Sequence, residues 1–110
     1  PVGADEPSVS FGTVTIDLAA HLVTRAGVAV RLTPTEWHLL EVLLRNHDRL
    51  VTRETLLREV WGPQYTTDTG YLRLYLAQLR KKLEPEPSAP RYFLTESGMG
   101  YRFVSTPDSR

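Results

Sequence analysis

Residues 69–83 carry side chains whose chemistry suits binding to a DNA duplex. The segment contains four basic residues and no acidic residue. A helix turns about 100° per residue, and on this spacing one side of the predicted helix is apolar, with Tyr75 at its edge. The apolar side consists of Leu72, Leu76, Leu79 and Leu83. The other side and its flanks present small, amide, apolar and basic groups: Gly70, Tyr71, Arg73, Leu74, Ala77, Gln78, Arg80 and Lys81.

A helix face of this composition can enter a major groove. Gln78 can pair with adenine, a leucine or alanine can contact a thymine methyl group, and lysine or arginine can reach guanine or phosphate. The simpler alternative is a solvated face whose basic end complements the helix dipole, because three of the four cations lie in the last turn. This helix alone leaves both interpretations open.

Two aromatic residues outside the helix are further candidates. Trp61 ends the preceding predicted helix, and its indole ring can pack in the core while its N–H reaches a phosphate. Tyr101 is expected to be a packed strand residue whose hydroxyl can also reach a phosphate. No cluster of exposed aromatic residues is apparent, which argues against stacking on single-stranded RNA.

Catalytic and metal-binding motifs are missing from the sequence. The chain has no cysteine, and the histidines His21, His38 and His47 lack the spacing of metal ligands. There is no nucleophile elbow, phosphate-binding loop or zinc-protease motif. We therefore expect no catalytic residues, no metal site, no cofactor and no enzyme activity.

Short strands are predicted ahead of the helices. Apolar residues spaced by two indicate three or four antiparallel strands with one face on a core. These residues are Val14, Ile16, Leu18, Val28, Val30 and Leu32. The segment Arg25-Ala26-Gly27 is typical of a hairpin turn in which Gly27 adopts a positive φ.

Three helices and a second hairpin follow. Thr33, Pro34 and Glu36 form the capping-box start of the first helix. The second helix covers about residues 53–61 and the third covers residues 69–83. A β-hairpin within residues 91–104 then surrounds a glycine-rich turn, Ser97-Gly98-Met99-Gly100. The predicted order is strands, helix, helix, loop, helix and hairpin.

The length and composition fit one folded domain. The 110 residues are 41% hydrophobic, which is too apolar for a disordered chain. Residues 1–8 are interpreted as a linker, residues 9–104 as the domain and residues 105–110 as a tail. The sequence opens on no signal peptide and has no apolar run that could cross a bilayer, so we expect a cytoplasmic protein without membrane contact.

The formal net charge of zero argues, taken alone, against a nucleic-acid-binding protein. The charges are unevenly distributed, however. Residues 1–50 hold four basic and six acidic residues, whereas residues 51–110 hold nine and seven. Because screening acts over about 8 Å at physiological salt, a docked phosphate responds mainly to the helix beside it. The neutral total therefore does not exclude DNA binding, and it predicts little long-range steering and a modest affinity for random DNA.

Four motifs resemble the OmpR/PhoB-type winged-helix effector domain of bacterial two-component response regulators, in that family's order and spacing. They are Leu32-Thr33-Pro34-Thr35-Glu36-Trp37, Val51-Thr52-Arg53 with Val60-Trp61-Gly62, Leu79-Arg80-Lys81-Lys82-Leu83, and Gly98-Met99-Gly100-Tyr101-Arg102-Phe103. The resemblance implies an α+β winged helix-turn-helix with an N-terminal four-stranded antiparallel sheet, three helices and a C-terminal β-hairpin wing. Residues 60–63, 71–75 and 90–96 are most similar to the family's regulators of potassium uptake.

The resemblance also implies which residues contact DNA, with the third helix in the major groove and the wing beside the minor groove. The helix positions that contact DNA in the family are Gly70, Tyr71, Leu74, Tyr75, Ala77, Gln78 and Arg80, with Trp61 and Tyr101 facing phosphates. Ser97 stands where relatives often carry a minor-groove arginine, and Gly70, Ala77 and Gln78 stand at positions that are often arginine. We therefore expect weak binding by one isolated domain, and dimerisation on DNA.

The partners implied by the resemblance are double-stranded promoter DNA, a second copy of the domain and RNA polymerase. The loop facing polymerase is Pro63, Gln64, Tyr65, Thr66 and Thr67. A receiver domain and a sensor kinase belong to regulators of this kind, and we expect the receiver outside these residues. The alternative function is a winged helix that contacts only proteins, which the zero net charge and the arginine-poor helix face favour.

Overall fold

The first four strands form an antiparallel sheet in sequential order. In this computed structural model, which describes residues 8–65 and 69–106, the sheet contains β1 (Ser8–Phe11), β2 (Val14–Asp17), β3 (Leu22–Arg25) and β4 (Val28–Val30). Val14, Ile16 and Val23 are buried. The prediction from period-two alternation is thus confirmed for Val14 and Ile16, whereas Val23 was not predicted. The predicted Leu18 and Val30 are partly buried against the core.

The predicted alternation is wrong at Val28, which is 67% exposed. Val28 pairs with Arg25 across the two-residue turn Ala26-Gly27. A Cβ atom added to Gly27 would meet nothing within 4 Å, so the tip of this hairpin projects past the packed core. The turn itself is confirmed, because Ala26 has φ 52° and Gly27 has φ 81°, the two positive values that a type I′ turn requires.

Three helices follow the sheet: α1 (Pro34–Arg45), α2 (Arg53–Val60) and α3 (Thr69–Leu83). The predicted capping box of α1 is present. The backbone N of Glu36 donates to Thr33 Oγ1 at 3.2 Å, and the backbone N of Thr33 donates to Glu36 Oε1 at 2.9 Å. The α2 helix ends one residue earlier than predicted, with Trp61 as its C-cap.

The C-terminal hairpin belongs to a three-stranded sheet. β6 (Phe93–Glu96) and β7 (Gly100–Phe103) form the predicted hairpin, and β5 (Leu50–Thr52), which was not predicted, pairs with β7. A Cβ atom at Gly100 would overlap the carbonyl oxygen of Val51. Glycine at this position therefore permits the close approach of β5, in addition to ending the turn.

Both sheets and all three helices contribute to one hydrophobic core. Phe11 connects the two sheets, since its ring centroid lies 4.9 Å from that of Tyr92 and 5.0 Å from that of Phe103. The first helix is buried around most of its circumference, as predicted, through Trp37, Leu39, Leu40, Val42 and Leu43. The core thus fixes α3 between the first helices and the C-terminal sheet.

The predicted linker and tail lie largely outside the described residues. Residues 1–7 and 107–110 are not described, while Ser8, assigned to the linker by the sequence, begins β1. The predicted boundary at residue 9 thus differs from the start of β1 by one residue.

The turn at Ala26 predicts a stabilising substitution. A left-handed backbone costs a residue with a Cβ roughly 1–2 kcal/mol, and asparagine is preferred over alanine at the first position of a type I′ turn. We expect Ala26→Asn to raise the free energy of unfolding by about 0.5–1 kcal/mol, measured by urea denaturation. The control is Ala29→Asn in β4, where the turn effect is missing and stability should not rise. A lower urea midpoint for Ala26→Asn would contradict the turn assignment.

Candidate nucleic-acid interface

The α3 helix has the two faces that its sequence predicts. Its inner stripe is almost completely buried and consists of Leu72, Leu76, Leu79 and Leu83. Tyr75, at the edge of that stripe, is half-buried and packs against the core. The opposite side of the helix therefore faces outward, on a helix whose position is fixed by the core.

The outward face offers apolar and amide groups. Leu74 is 53% exposed and Tyr71 is 45% exposed. Gly70 and Ala77 are exposed beside them, and Gln78 is half-buried. Aliphatic carbons suit thymine methyl groups, and a glutamine amide suits the adenine edge in the major groove. This face is chemically matched to A·T pairs more than to arginine–guanine contacts.

The half-buried Lys82 pairs with groups of the fold and does not extend into solvent. Its Nζ donates to Glu36 Oε1 at 2.6 Å and to the carbonyl oxygen of Arg31 at 2.9 Å. Glu36 is only 1% exposed, and a buried carboxylate is costly without such a partner. Lys82 therefore neutralises the capping residue of α1 and joins the end of α3 to the start of α1.

Arg80 is also held within the fold. Its Nε and Nη2 donate to the carbonyl oxygen of Phe93 at 2.9 and 2.7 Å, and Nη2 donates to Thr95 Oγ1 at 2.8 Å. Burial lowers the pKa of Arg80, while the charges of Tyr101 and Glu84 act in the opposite direction. The assignment of Arg80 as a DNA contact stays a prediction, and most of its donors already have partners in β6.

Two of the four α3 cations extend into solvent. Arg73 and Lys81 are exposed, and within the described part of the chain neither side chain has a hydrogen bond or ion pair. The basic charge that the sequence assigns to α3 is thus divided between two residues with partners in the fold, Arg80 and Lys82, and two exposed residues, Arg73 and Lys81.

Four aromatic rings cluster around the start of α3. The Trp61 ring is stacked with Tyr71 at a centroid distance of 6.0 Å and tilted against Tyr75 at 5.5 Å. Tyr65 meets Tyr71 edge-on at 6.4 Å. The sequence analysis missed this cluster, because its members come from the end of α2, the connecting loop and α3. It gives Trp61 the packed position that the sequence predicted.

The wing turn lies beside the start of α2. Ser97 and Gly98 are exposed, and Met99 is 54% exposed. The backbone N of Arg53 donates to the Met99 carbonyl, and Arg53 Nη2 donates to the Gly98 carbonyl, both at 3.3 Å. Sequence reasoning did not identify Arg53 as an anchor of the wing, since the partners lie 45 residues apart.

Tyr101 is buried at the base of the wing, with only 8% of its surface exposed. The Arg80 guanidinium lies 5.9 Å from the centre of its ring. The packed strand position predicted for Tyr101 is confirmed, and the phosphate contact of its hydroxyl stays a prediction.

The connecting loop begins with a 3-10 turn at Pro63–Tyr65. Pro63 and Gln64 are exposed, while Tyr65 is half-buried in the aromatic cluster. Thr66 and Thr67, which the sequence assigned to the same polymerase-facing loop, lie outside the described residues.

Among residues 8–65 and 69–106, no group of three or more histidine, cysteine, aspartate or glutamate residues is placed to hold a metal ion. Two of the three histidines make other contacts. His21 stacks on Trp37 at 4.3 Å and lies 3.4 Å from the Glu41 carboxylate, and His47 lies 3.4 Å from the Asp48 carboxylate.

Over the same described segments, none of the helices has the length and apolar character needed to traverse a bilayer.

Comparison with sequence families gives a match over most of the chain. Residues 27–103 match the family described as "Transcriptional regulatory protein, C terminal". The chain is 58% identical over 99 residues to the transcriptional regulatory protein KdpE of Mycobacterium tuberculosis. It is 48% identical over 101 residues to the KDP operon transcriptional regulatory protein KdpE of Escherichia coli. These alignments cover 90% and 92% of the chain but 44% and 45% of the relatives, so the chain spans less than half their length.

A solved structure has the same fold. The crystal structure of the Klebsiella pneumoniae RstA DNA-binding domain in complex with the RstA box matches with a TM-score of 0.77 at 28% identity. The match covers 89% of this chain and 97% of the RstA domain. The predicted winged-helix architecture, with its four-stranded sheet, three helices and hairpin, is therefore confirmed.

Because Lys82 is paired within the fold and Lys81 is exposed, substitutions at these adjacent positions should have unequal effects on stability. Lys82→Met removes the ammonium group from buried Glu36, so we expect a loss of about 1–3 kcal/mol in the free energy of unfolding. Lys81→Met is the matched control at an exposed position, where a change within about 0.5 kcal/mol is expected. Urea denaturation of both variants tests this, and equal effects would show that the Lys82–Glu36 contact does not stabilise the fold.

Proposed function

Because the chain belongs to the OmpR/PhoB-type family of transcriptional regulatory C-terminal domains, we propose that it binds double-stranded promoter DNA sequence-specifically. In this proposal α3 enters the major groove and the wing lies beside the minor groove. The family consists of DNA-binding domains of transcriptional regulators and is not an enzyme family.

The outward face of α3 is the observation that carries the proposal. Leu74 is 53% exposed on a helix that is otherwise anchored by four buried leucines, and the exposed cations Arg73 and Lys81 lie on the same face. Base-edge contacts from such a face give specificity, whereas phosphate contacts from its cations give affinity. Gln78, Leu74 and Tyr71 are the proposed base-reading residues.

The biological context is proposed from the two KdpE relatives. The Escherichia coli relative is named a regulator of the KDP operon, and we propose that this chain is the C-terminal part of a cytoplasmic response regulator that controls a potassium-transport operon. A receiver domain outside these residues would then be phosphorylated by a sensor kinase. The polymerase contact is assigned to the loop that begins with Pro63, Gln64 and Tyr65.

The salt dependence of binding tests DNA recognition against a protein-only function. We expect the dissociation constant for a promoter duplex to rise steeply with salt, because each neutralised phosphate contributes about 0.9 to the log–log slope. Lys81→Ala should lower that slope by about 0.9 and weaken all sequences equally. Gln78→Ala should leave the slope unchanged and reduce the preference for the promoter over a scrambled duplex, by about 1–3 kcal/mol for a bidentate contact.

Fluorescence anisotropy across a series of salt concentrations measures these quantities on both duplexes. A wild-type protein that shows no salt-dependent binding would indicate a module that contacts only proteins. If both variants lose the same affinity on both duplexes, the assignment of the groove face is wrong.

Dimerisation on DNA is expected from the modest charge of the interface. In one domain, the exposed cations of α3 are Arg73 and Lys81. We therefore expect the affinity for a single half-site to be weaker than nanomolar at physiological salt. A duplex with two half-sites should bind more tightly through the increased effective concentration of the second domain. Anisotropy on the two duplexes compares them, and nanomolar affinity of a monomer for one half-site would overturn this expectation.

A further inference from the structure

The wing turn exposes an apolar side chain, Met99, that is not part of the hydrophobic core. Among the residues that the structure describes, five large apolar side chains are exposed. They are Leu22, Val28, Tyr71, Leu74 and Met99. Tyr71 and Leu74 belong to the outward face of α3, and Met99 is 54% exposed at the tip of the wing. Covering such a side chain with a binding partner is favourable, because apolar surface leaves water.

The backbone of Met99 is held from two directions. Its N–H donates to the carbonyl oxygen of Glu96 at 2.9 Å, and its own carbonyl accepts from the backbone N of Arg53 at 3.3 Å. The next residue, Gly100, lies against the backbone of Val51 in β5. The side chain of Met99 therefore projects from a fixed backbone, and its contact with a partner costs little ordering of the chain.

The wing that carries Met99 is attached to the end of α3. The strand order of its sheet is β5-β7-β6, so β6 is an edge strand. In β6, the carbonyl of Phe93 accepts from Arg80 Nε and Nη2, and the N–H of Phe93 donates to Glu84 Oε2 at 2.7 Å. The wing is thus fixed relative to the helix that is proposed to enter the major groove.

The wing turn can make only uncharged contacts, because residues 97–101 contain no charged side chain. In the minor groove, A·T pairs present acceptors alone, whereas G·C pairs add the amino group of guanine, which projects from the groove floor. An apolar side chain that covers this amino group leaves a donor without a partner. Methionine is among the apolar residues that proteins place in minor grooves, and its chemistry there suits A·T pairs.

We propose that Met99 contacts DNA, with its thioether side chain packed in the minor groove over A·T pairs. The proposal rests on the function proposed above, in which α3 and the wing bind one duplex together. It adds to the phosphate and major-groove contacts an apolar contact whose strength does not depend on salt.

Oxidation of Met99 gives a direct footprint of this contact. Met99 is the one sulfur-containing residue of the chain, which has a single methionine and no cysteine. Hydrogen peroxide transfers one oxygen atom to the thioether sulfur, which gives up two electrons, and the peroxide is reduced to water. We expect saturating promoter duplex to slow formation of the sulfoxide about tenfold, since susceptibility follows exposure. Mass spectrometry measures the rate, and equal rates for the free and the bound protein would overturn the proposal.

Two substitutions of similar length separate an apolar contact from a residue that only fills the turn. Met99 is exposed, so Met99→Leu and Met99→Gln should be about as stable as the wild type. On the promoter duplex, Met99→Leu should keep its affinity within about threefold. Met99→Gln should bind about tenfold more weakly, equivalent to 1.4 kcal/mol, with the salt slope of the wild type. Anisotropy measures both, and wild-type affinity of Met99→Gln, or equal losses in the two variants, would contradict the proposal.

A modified duplex tests the groove itself. Diaminopurine in place of adenine adds an amino group to the minor groove and leaves the major-groove edge unchanged. We expect the wild type to bind this promoter duplex about tenfold more weakly than the unmodified one. Met99→Gln should lose less, because its amide oxygen can accept from the added group. Equal losses would show that Met99 does not meet the minor groove. A wild type that binds no promoter duplex would overturn the proposed function, whereas binding with Met99 unprotected would overturn this proposal alone.

Discussion

The last turn of α3 is the point to which the other elements of the fold are attached. Arg25 of β3 donates to the carbonyl oxygens of Lys82 and Glu84, at 3.1 and 3.0 Å. Lys82 in turn neutralises Glu36 at the start of α1, and Glu84 accepts three backbone N–H groups ahead of and within β6. Buried carboxylates require such donors, so Glu36 and Glu84 fix the first helix and the wing to this helix end, while Arg25 fixes the N-terminal sheet to it through backbone carbonyls.

This attachment leaves the earlier turns of α3 free to bind a partner. Cations in the last turn of a helix are ordinarily explained by the helix dipole, and here Arg80 and Lys82 are explained by specific acceptors. Part of the basic charge of the chain is therefore engaged within the fold, with the buried Glu36 carboxylate and with backbone carbonyls. What remains at the surface of α3 is a short apolar and amide strip with Arg73 and Lys81 beside it, which favours selectivity over general attraction to phosphate.

Local features of the fold could be predicted from the sequence, whereas distant pairings could not. The capping box of Thr33 and Glu36 and the leucine stripe of α3 depend on residues three or four apart, a spacing that the helix itself sets. The β5 strand is only three residues long and exists because Gly100 admits it against β7. The partners of Arg80, the aromatic cluster at Trp61 and the exposed tip at Val28 likewise depend on elements that meet only in the folded chain.

The same distinction between local features and distant pairings applies to the candidate interface and explains its geometry. The sequence identifies the side chains that α3 turns outward, because helical periodicity decides this locally, but it cannot give the distance between α3 and the wing. That distance depends on Arg80, Glu84 and the backbone of Phe93, whose hydrogen bonds are 2.7–2.9 Å long. Because β6 is an edge strand, no neighbouring strand fixes its outer side, and the helix end takes that place. If α3 binds a duplex, the distance from that duplex to the wing is therefore set by the C-terminal end of α3 itself.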